Sequence, residues 1–327
     1  LKSLPMADCK LRDEQFKIIE EQRRYCDEHG IPVFSVDTKK KELLGPYRHD
    51  DGKAYTTDPV KVYDHDYSTF SNGKMVPYGI YDVTRNTGYM TFGVSHDTAE
   101  FACECFAEQW EQRLRHIYPS AKTILILCDG GGSNNARSWQ FKWCLIQLAK
   151  RLGINIRIAH YPPYCSKWNP IEHRLFSQIS RVWSGAVFNT IEEASELASR
   201  ARTKTGLAVF TSINRRIYET KTERNPLFES ECDRHIVKDE ILPNGTILSD
   251  ATDVIRIVPS YFLTITKFEF FDAKDSKLVS LSSSKKFGEA IVTKRRAQNK
   301  EKNVSVRPNN VGVEKNSGQN FIPYHFD

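Results

Sequence analysis

Hydrophobic and polar positions along the chain form blocks of two different periods. Apolar side chains at near-helical spacing predict helices over residues 10–29, 98–117, 138–152 and 170–183. Gly30 and Gly153 follow two of these blocks and predict where the helices end. Short runs of apolar and β-branched residues predict strands over residues 31–37, 78–83, 89–95, 123–128 and 154–159.

After the N-terminal helix at residues 10–29, the order of the remaining elements is β-β-β-α-β-α-β-α. Asn86-Thr87-Gly88 favours a hairpin between the second and third strands. Three meandering strands followed by alternating helices and strands predict an α/β protein with a mixed five-stranded sheet flanked by helices. This is the order of the ribonuclease H-like fold. Residues 45–76 are polar and predict a long insertion or loop within it.

Composition divides the chain into four predicted regions. Residues 1–30 form an N-terminal helical segment, and residues 31–218 form the ribonuclease H-like domain. Periodicity fades over residues 219–281, which we interpret as a divergent C-terminal extension with strand-like pieces at 253–258 and 262–271. Residues 282–327 are predicted to be a disordered basic tail.

The net charge of +6 over 327 residues is concentrated in that tail. Residues 285–307 carry eight basic and two acidic side chains. Such a stretch either neutralises phosphate groups or is a solvated mobile segment.

Membrane and disulfide-rich classes of protein are excluded. The longest apolar candidate spans ten residues, 257–266, whereas a membrane helix needs about 20. The eight cysteines include no Cys-x-x-Cys pair, so reduced thiols are expected rather than zinc ligands or disulfides. No signal peptide opens the chain, and we expect a soluble protein of the cytoplasm. The first residue is Leu rather than Met, so we expect that an upstream portion is missing from this sequence.

Three acidic residues occur where the predicted strand order brings distant segments together. Asp37 ends the first strand, Asp129 follows the fourth, and Glu172 opens the last helix. Converging carboxylates repel one another unless a cation neutralises them. Oxygen ligands with an open coordination sphere suit Mg²⁺ or Mn²⁺ bound to a phosphate. Two ions about 3.5–4 Å apart would stabilise the attacking and leaving oxygens of phosphoryl transfer.

Each of the three acids also has an ordinary structural explanation. Asn169, Pro170 and Glu172 form a typical helix start, so Glu172 could close a capping box. Asp129 before three glycines and Asp37 before Thr38 could serve turns alone. The three acids together indicate a metal site more specifically than any one of them does. The segment at 129–134, DGGGSN, lacks the Lys-Ser/Thr ending of a P-loop, which excludes an ATPase.

Cationic and aromatic residues lie close in the sequence to the three acids of the proposed site. Lysine and arginine bind phosphates, and tryptophan stacks on unpaired bases. The alternative is that the tryptophan packs into the core and the lysines are solvated. His160 and His173 are assigned structural roles. The predicted DNA-binding set is Lys39, Lys40, Lys41, Asn134, Lys167, Trp168 and Arg174.

Several ordered blocks resemble one family. Residues 35–43, 77–82, 96–100, 129–134, 166–176 and 203–207 resemble the ISAzo13-family (Rhodopirellula-type) DDE transposases. Residues 162–172 are also similar to the corresponding segment of the IS630/Tc1/mariner group. The resemblance covers roughly residues 10–218.

The resemblance implies a bacterial insertion-sequence transposase with Asp37, Asp129 and Glu172 as its acidic triad. It implies cleavage at the element ends and strand transfer by the liberated 3′-hydroxyl. DNA is the implied partner, as terminal repeats and as target, and a homo-oligomer on paired ends is expected. We interpret the family's upstream helix-turn-helix region, which is expected to read the terminal repeats, as absent before residue 1. No match to the family extends beyond about residue 219.

Two other functions stay open from the sequence. A ribonuclease H or another structure-selective nuclease would use the same metals on the same fold. A non-catalytic DNA-binding remnant of a transposase would keep the fold without the reaction.

Overall fold

The fold is organised around β1, Val33–Thr38, which lies in the middle of a large mixed sheet. The computed structural model describes residues 9–49, 57–238, 246–249, 268–272 and 277–281. β1 pairs antiparallel with β3 and parallel with β5. The further strands are β2 (Glu42–Leu44), β3 (Gly73–Asp82), β4 (Thr87–Gly93), β5 (Thr123–Cys128), β6 (Asn155–His160), β7 (Ala208–Asn214), β8 (Ile236–Lys238), β9 (Thr246–Ser249), β10 (Phe268–Asp272) and β11 (Lys277–Leu281).

Seven α-helical segments accompany these strands in the part of the chain that the structure describes. They are α1 (Cys9–Glu28), α2 (Ala99–Gln109), α3 (Arg115–Ile117), α4 (Trp139–Leu152), α5 (Ser177–Trp183), α6 (Ile191–Ser199) and α7 (Phe228–His235). A π-helical turn over Trp110–Leu114 joins α2 to α3. The Thr98 side chain caps α2 by accepting a hydrogen bond from the N–H of Phe101.

The central strand order β4-β3-β1-β5-β6 is the order of the ribonuclease H-like fold. The first three of these strands are antiparallel, and β5 and β6 continue in parallel from β1. The predicted α/β fold is therefore confirmed. The predicted number of five strands is too low, because β7 adds to the β4 edge and β9 and β8 add beyond β6.

Hydrophobic residues cover both faces of the sheet. On one face, Phe34, Val36 and Ile126 pack with residues of α2 and α4. On the other face, Val33 and Leu125 pack with α1, and Met90 packs with the segment that begins at Ile171. Alternate residues of each strand therefore contribute to opposite cores, as expected for a sheet between helices.

Helix α6 and strand β7 lie between residues 184 and 218, where the sequence pattern predicts no helix or strand. β7 runs parallel to β4, with Thr87 opposite Ala208. Its residues mix buried, intermediate and exposed positions, so neither an alternating nor a continuous apolar pattern marks it. The predicted long insertion after residue 45 ends earlier than expected, because β3 begins at Gly73.

The contacts divide the chain into Leu1–Thr264 and Ile265–Asp327. In the second unit, β10 and β11 form an antiparallel pair. The predicted strand at 253–258 and the predicted basic tail at 282–327 lie outside the described residues.

Two predicted absences can be compared with the described part of the chain. Within it, none of the helices combines the length and the apolar character that crossing a bilayer requires. None of the seven cysteines whose side chains are described there forms a disulfide.

Candidate active site

Asp37 lies near the carboxyl end of β1 with only 9% of its surface exposed. It is opposite Gly79 of β3 in the antiparallel register, so the two positions face the same side of the sheet. A Cβ at Gly79 would lie 2.5 Å from Cε1 of Phe176 and 2.8 Å from Cδ1 of Ile171. Because glycine leaves this space free, the segment that carries Glu172 packs directly against the strand beside Asp37.

Asp129 follows β5 directly and is half-buried. Since β1 and β5 are parallel neighbours, their carboxyl ends meet at one edge of the sheet. The Asp129 Oδ1 accepts a hydrogen bond from the N–H of Gly131 at 3.3 Å. Gly132 has a φ of +53°, which glycine adopts at little cost. Asp129 therefore serves the turn and also lies at the edge where Asp37 ends.

The residues before Glu172 are fastened to β1 by buried hydrogen bonds. The side chain of Asn169 is fully buried, and its Nδ2 donates to the carbonyl of Val36 at 3.1 Å. The hydroxyl of Ser35 donates to Asn169 Oδ1 and accepts from the N–H of Ile171 at 2.9 Å. These contacts fix the start of the Glu172 segment beside the strand that carries Asp37.

The side chain of Asn169 does not cap the helix that begins at the next residue. Its side chain bonds β1 and not the helix that follows, and only its backbone carbonyl accepts from the N–H of Glu172, at 3.1 Å. The turn Glu172–Phe176 is π-helical and leads into α5. Such turns are rare and frequently occur at functional sites.

The carboxylate of Asp37 is strongly perturbed by its surroundings. Burial raises its pKa to about 8, and the negative charges of Asp129, Glu172 and Asp97 contribute to the rise. The N–H of Thr38, 2.7 Å from Oδ1, opposes this shift by stabilising the ionised form. Asp37 is therefore protonated over much of the neutral range when no cation is bound.

The pKa of Glu172 is also shifted, and Asp129 is the charged neighbour that it shares with Asp37. Burial raises its pKa, and the charge of Asp129 adds to the rise. The positive charges of His173 and Lys39 act in the opposite direction. The two shifts share Asp129 as a common cause, so these carboxylates act on one another at this edge of the sheet.

Among the described residues, the carboxylates at this edge do not form a closed cage for a metal ion. No group of three or more His, Cys, Asp or Glu side chains in the part of the chain that the structure describes is arranged to hold one ion. Mg²⁺ is usually held by one or two carboxylates, with water and substrate phosphates completing its shell. Asp37, Asp129 and Glu172 could supply such ligands, and a cation there would offset the repulsion that contributes to the raised pKa of Asp37.

Five members of the predicted DNA-binding set are exposed. Trp168 is 59% exposed, with its ring 6.2 Å from that of Phe16 and the Lys167 ammonium 5.6 Å from its centroid. The alternative that Trp168 packs into the core is therefore wrong, and its stacking on a base stays a prediction. The exposed members are Lys40, Lys41, Lys167, Trp168 and Arg174.

Lys39 and Asn134 differ from the other five members of that set, because both of their side chains are buried. The backbone carbonyl of Asn134 contacts Nε2 of His160 at 2.9 Å. His160 is itself buried, as expected for a structural histidine. For Lys39 and Asn134, contact with DNA stays a prediction that the burial of their side chains does not favour.

Lys39 belongs instead to a buried ionic network. Its Nζ lies 3.2 Å from Glu42 Oε1, and Glu42 Oε2 lies 3.3 Å from Nδ1 of His49. Burial by itself raises the pKa of Glu42, but hydrogen bonds from His49 and Lys39 outweigh it and lower the pKa below its usual value. The Lys39 ammonium also lies 5.1 Å from the Trp183 ring centroid.

Three residues at this edge were not assigned to the site from the sequence. Ser35 and Asn169 connect the two segments of the site, and Asp97 lies close enough to Asp37 to raise its pKa. All three fall inside the blocks that carry the family resemblance. Their contacts join residues more than fifty positions apart, which no local pattern indicates.

The strand order defines the class of the fold, which is a ribonuclease H-like domain. Residues 1–234 match the family described as the Rhodopirellula transposase DDE domain. This match covers well over half of the 327 residues, and the chain belongs to that family. It is therefore a member of a transposase family, as the sequence resemblance predicted.

Comparison with solved structures finds complexes of the Mos1 transposase. The Mos1 paired-end complex with the left transposon end has 12% identity and a TM-score of 0.41 to this chain. The Mos1 mariner paired-end complexes with Mn and with Mg have 12% and 15% identity, each with a TM-score of 0.38. Each alignment covers 60% of this chain and spans 57% of the Mos1 chain. None of the curated proteins compared with this chain matches it.

Proposed function

We propose that this chain carries out metal-dependent DNA strand cleavage at the ends of an insertion sequence, followed by strand transfer through the liberated 3′-hydroxyl. Asp37, Asp129 and Glu172 are the proposed catalytic and metal-binding residues. The partners are the terminal repeats and the target DNA. Paired ends imply that more than one copy of the chain acts together.

One observation carries this proposal. The charges of Asp129 and Glu172 both contribute to raising the pKa of Asp37 to about 8. The carboxylates of residues 37, 129 and 172 therefore repel one another. This repulsion does not stabilise the fold, so a structural role does not explain why the three acids lie together. A site for divalent cations explains why the repulsion is kept.

The chemistry is an in-line displacement at phosphorus. Mg²⁺ or Mn²⁺ ions, when bound, lower the pKa of the attacking water or 3′-hydroxyl and stabilise the leaving oxygen. In the cleavage step, the new bond joins the water oxygen to phosphorus, and the 3′-hydroxyl leaves. In the transfer step, that 3′-hydroxyl attacks a target phosphate and displaces a target 3′-oxygen.

The chain's own residues contribute position and charge. Asn169 and Ser35 hold the Glu172 segment against β1. The exposed lysines Lys40 and Lys41 bind phosphates beside the site, and Trp168 stacks on a base that has left the helix.

The experiment is incubation of the purified chain with labelled duplexes that carry the inverted repeats flanking its coding sequence, with Mg²⁺ or Mn²⁺. Nicked and joined products are separated on denaturing gels. We expect Asp37→Asn, Asp129→Asn and Glu172→Gln to abolish both products while the circular dichroism spectrum stays that of the wild type. Glu100→Gln, an exposed acid on α2, is the matched control and stays active.

Two outcomes separate the alternatives. Hydrolysis confined to RNA–DNA hybrids, with no joined DNA, would support a ribonuclease H. DNA binding without any Mn²⁺ binding would support a non-catalytic remnant. Either result overturns the proposed function.

A further inference from the structure

Asp97 lies between β4 and α2 and is half-buried at the same edge of the sheet as Asp37. Its Oδ1 accepts a hydrogen bond from the Thr38 hydroxyl at 3.1 Å. The backbone N–H of Thr38 in turn donates to Asp37 Oδ1 at 2.7 Å. Thr38 thus connects the carboxylate of Asp97 to that of Asp37 through two hydrogen bonds.

The second carboxylate oxygen of Asp97 lies near the glycine turn that follows Asp129. A Cβ placed on Gly132 would lie 3.8 Å from Asp97 Oδ2, so this turn runs close to the carboxylate. The same turn holds Asp129 through the N–H of Gly131. Asp97 is therefore flanked by the end of β1 on one side and by the glycine turn after β5 on the other.

An ordinary structural explanation for Asp97 is the start of α2. The cap of that helix is already supplied by Thr98, whose Oγ1 accepts from the N–H of Phe101 at 3.1 Å. The Asp97 side chain is directed instead to Thr38, 59 residues earlier in the chain. The helix start therefore does not account for the position of this carboxylate.

We propose that Asp97 is a positioning residue, which orients Asp37 through Thr38 and supports the glycine turn beside Asp129, so that both aspartates meet a divalent cation in a fixed arrangement. This inference rests on the proposed function, because it assumes that Asp37 and Asp129 are metal ligands. Asp97 itself touches neither substrate nor metal in this role. Outer partners of metal ligands typically change metal affinity by about 10- to 100-fold when removed.

The test measures Mn²⁺ binding to the purified chain without DNA, from the loss of the electron paramagnetic resonance signal of free Mn²⁺. We expect Asp97→Ala and Thr38→Val each to weaken Mn²⁺ binding by about 10-fold or more. The double variant is expected to bind about as weakly as the weaker single variant, since both changes break the same connection. Thr38→Ser and Asp97→Asn keep a hydroxyl and an acceptor oxygen, and are expected to restore most of the affinity.

Glu100→Gln, on the exposed side of α2, is the matched control and leaves Mn²⁺ binding unchanged. Circular dichroism melting identifies any variant that does not fold, and Thr38→Val then tests the connection without altering Asp97. Wild-type Mn²⁺ affinity in Asp97→Ala overturns the inference. The inference is also overturned if the losses of Mn²⁺ affinity in Asp97→Ala and Thr38→Val multiply in the double variant. It is overturned as well if Asp97→Asn loses as much Mn²⁺ affinity as Asp97→Ala.

The failure of this inference differs from failure of the proposed function. If the wild-type chain binds Mn²⁺ and nicks DNA while Asp97→Ala does the same at equal Mn²⁺ concentration, only the role of Asp97 is rejected. If the wild-type chain binds no Mn²⁺, the proposed function fails, and the inference fails with it.

Discussion

The Asn169 side chain donates a hydrogen bond to the backbone carbonyl of Val36 at 3.1 Å. This contact joins residues 133 positions apart. Val36 directly precedes Asp37, and Asn169 lies three residues before Glu172, so one buried amide ties together the two segments that carry proposed catalytic acids. The Ser35 hydroxyl completes the connection by accepting from the N–H of Ile171.

Replacing Asn169 with Ala should therefore affect both stability and activity. The change removes the amide that contacts the buried Val36 carbonyl and the Ser35 hydroxyl, although this hydroxyl still accepts from the N–H of Ile171. Each buried group left unsatisfied costs about 1–3 kcal/mol. Displacement of Glu172 should lower nicking by about 100-fold. Urea denaturation and the nicking assay measure the two effects. Asn72→Ala, at an exposed position, is expected to change the unfolding free energy by less than about 0.5 kcal/mol. Equal unfolding free energies and equal nicking by Asn169→Ala and Asn72→Ala would contradict the role assigned to Asn169.

Asp37→Asn should make the metal-free chain more stable at pH 8. The folded pKa of Asp37 is about 8, against about 3.9 for an ordinary aspartate. Between these values the folded state binds more protons than the unfolded state, so the contribution of Asp37 to stability falls as pH rises. Asparagine does not ionise and keeps an acceptor oxygen for the N–H of Thr38.

We expect Asp37→Asn to raise the free energy of unfolding by at least about 1 kcal/mol at pH 8 in EDTA, and Tm by about 2–4 °C. Near pH 4, the variant and the wild type are expected to have almost the same stability. Thermal melts from pH 4 to 9 measure it. Asp66→Asn, at an exposed carboxylate, should show no such dependence. A Tm for Asp37→Asn at or below that of the wild type at pH 8 would refute the electrostatic argument.

Lys39→Met should destabilise the chain strongly. The change leaves the buried Glu42 carboxylate without the ammonium 3.2 Å away, and breaking a buried ion pair costs about 3–5 kcal/mol. Because the pKa of Glu42 is lowered in the folded state, the stabilisation it provides is present at neutral pH and is lost as pH falls through that lowered pKa. Denaturant unfolding at pH 7 and at acidic pH measures both effects.

The exposed pair of Lys40 and Asp66, 3.9 Å apart, provides the control for that variant. Lys40→Met should cost no more than about 1 kcal/mol, because water screens an exposed pair. A loss in Lys39→Met as small as in Lys40→Met would show that the buried network adds no stability.

Gly79→Ala should impair the site through packing. The new Cβ would lie 2.5 Å from Cε1 of Phe176, and relieving such a clash costs about 1–3 kcal/mol. Because Phe176 follows Glu172 by one turn, nicking should fall together with stability. Phe176→Leu in the same chain should recover part of both, so the two changes are not additive.

Gly153→Ala separates this effect from a general loss of stability. Gly153 has open space around it but a φ of +67°, so alanine there costs about 1–2 kcal/mol through the backbone alone. Its variant should unfold more easily while nicking normally. Normal nicking by Gly79→Ala would show that the Glu172 segment does not depend on this contact.

Local patterns in the sequence determined most of the central fold. Helices α1, α2 and α4 and strands β1, β5 and β6 were predicted within a few residues, because each has a clear hydrophobic period or a capping residue. The strand order followed from these elements, and with it the expectation that β1 and β5 are neighbours. β7 was missed because a sheet edge of mixed burial lacks such a period.

The three acids of the proposed site can be identified from the sequence, whereas the residues that surround them follow from the folded arrangement. The burial of Lys39 and Asn134, the hydrogen bond between Asn169 and Val36, and the approach of Asp97 to Thr38 all depend on pairs of segments that meet after folding. Hydrophobic periodicity is set by a residue's near neighbours in the chain. Burial, hydrogen-bond partners and pKa are set by neighbours in space, so they become visible only when the sheet and its helices are in place.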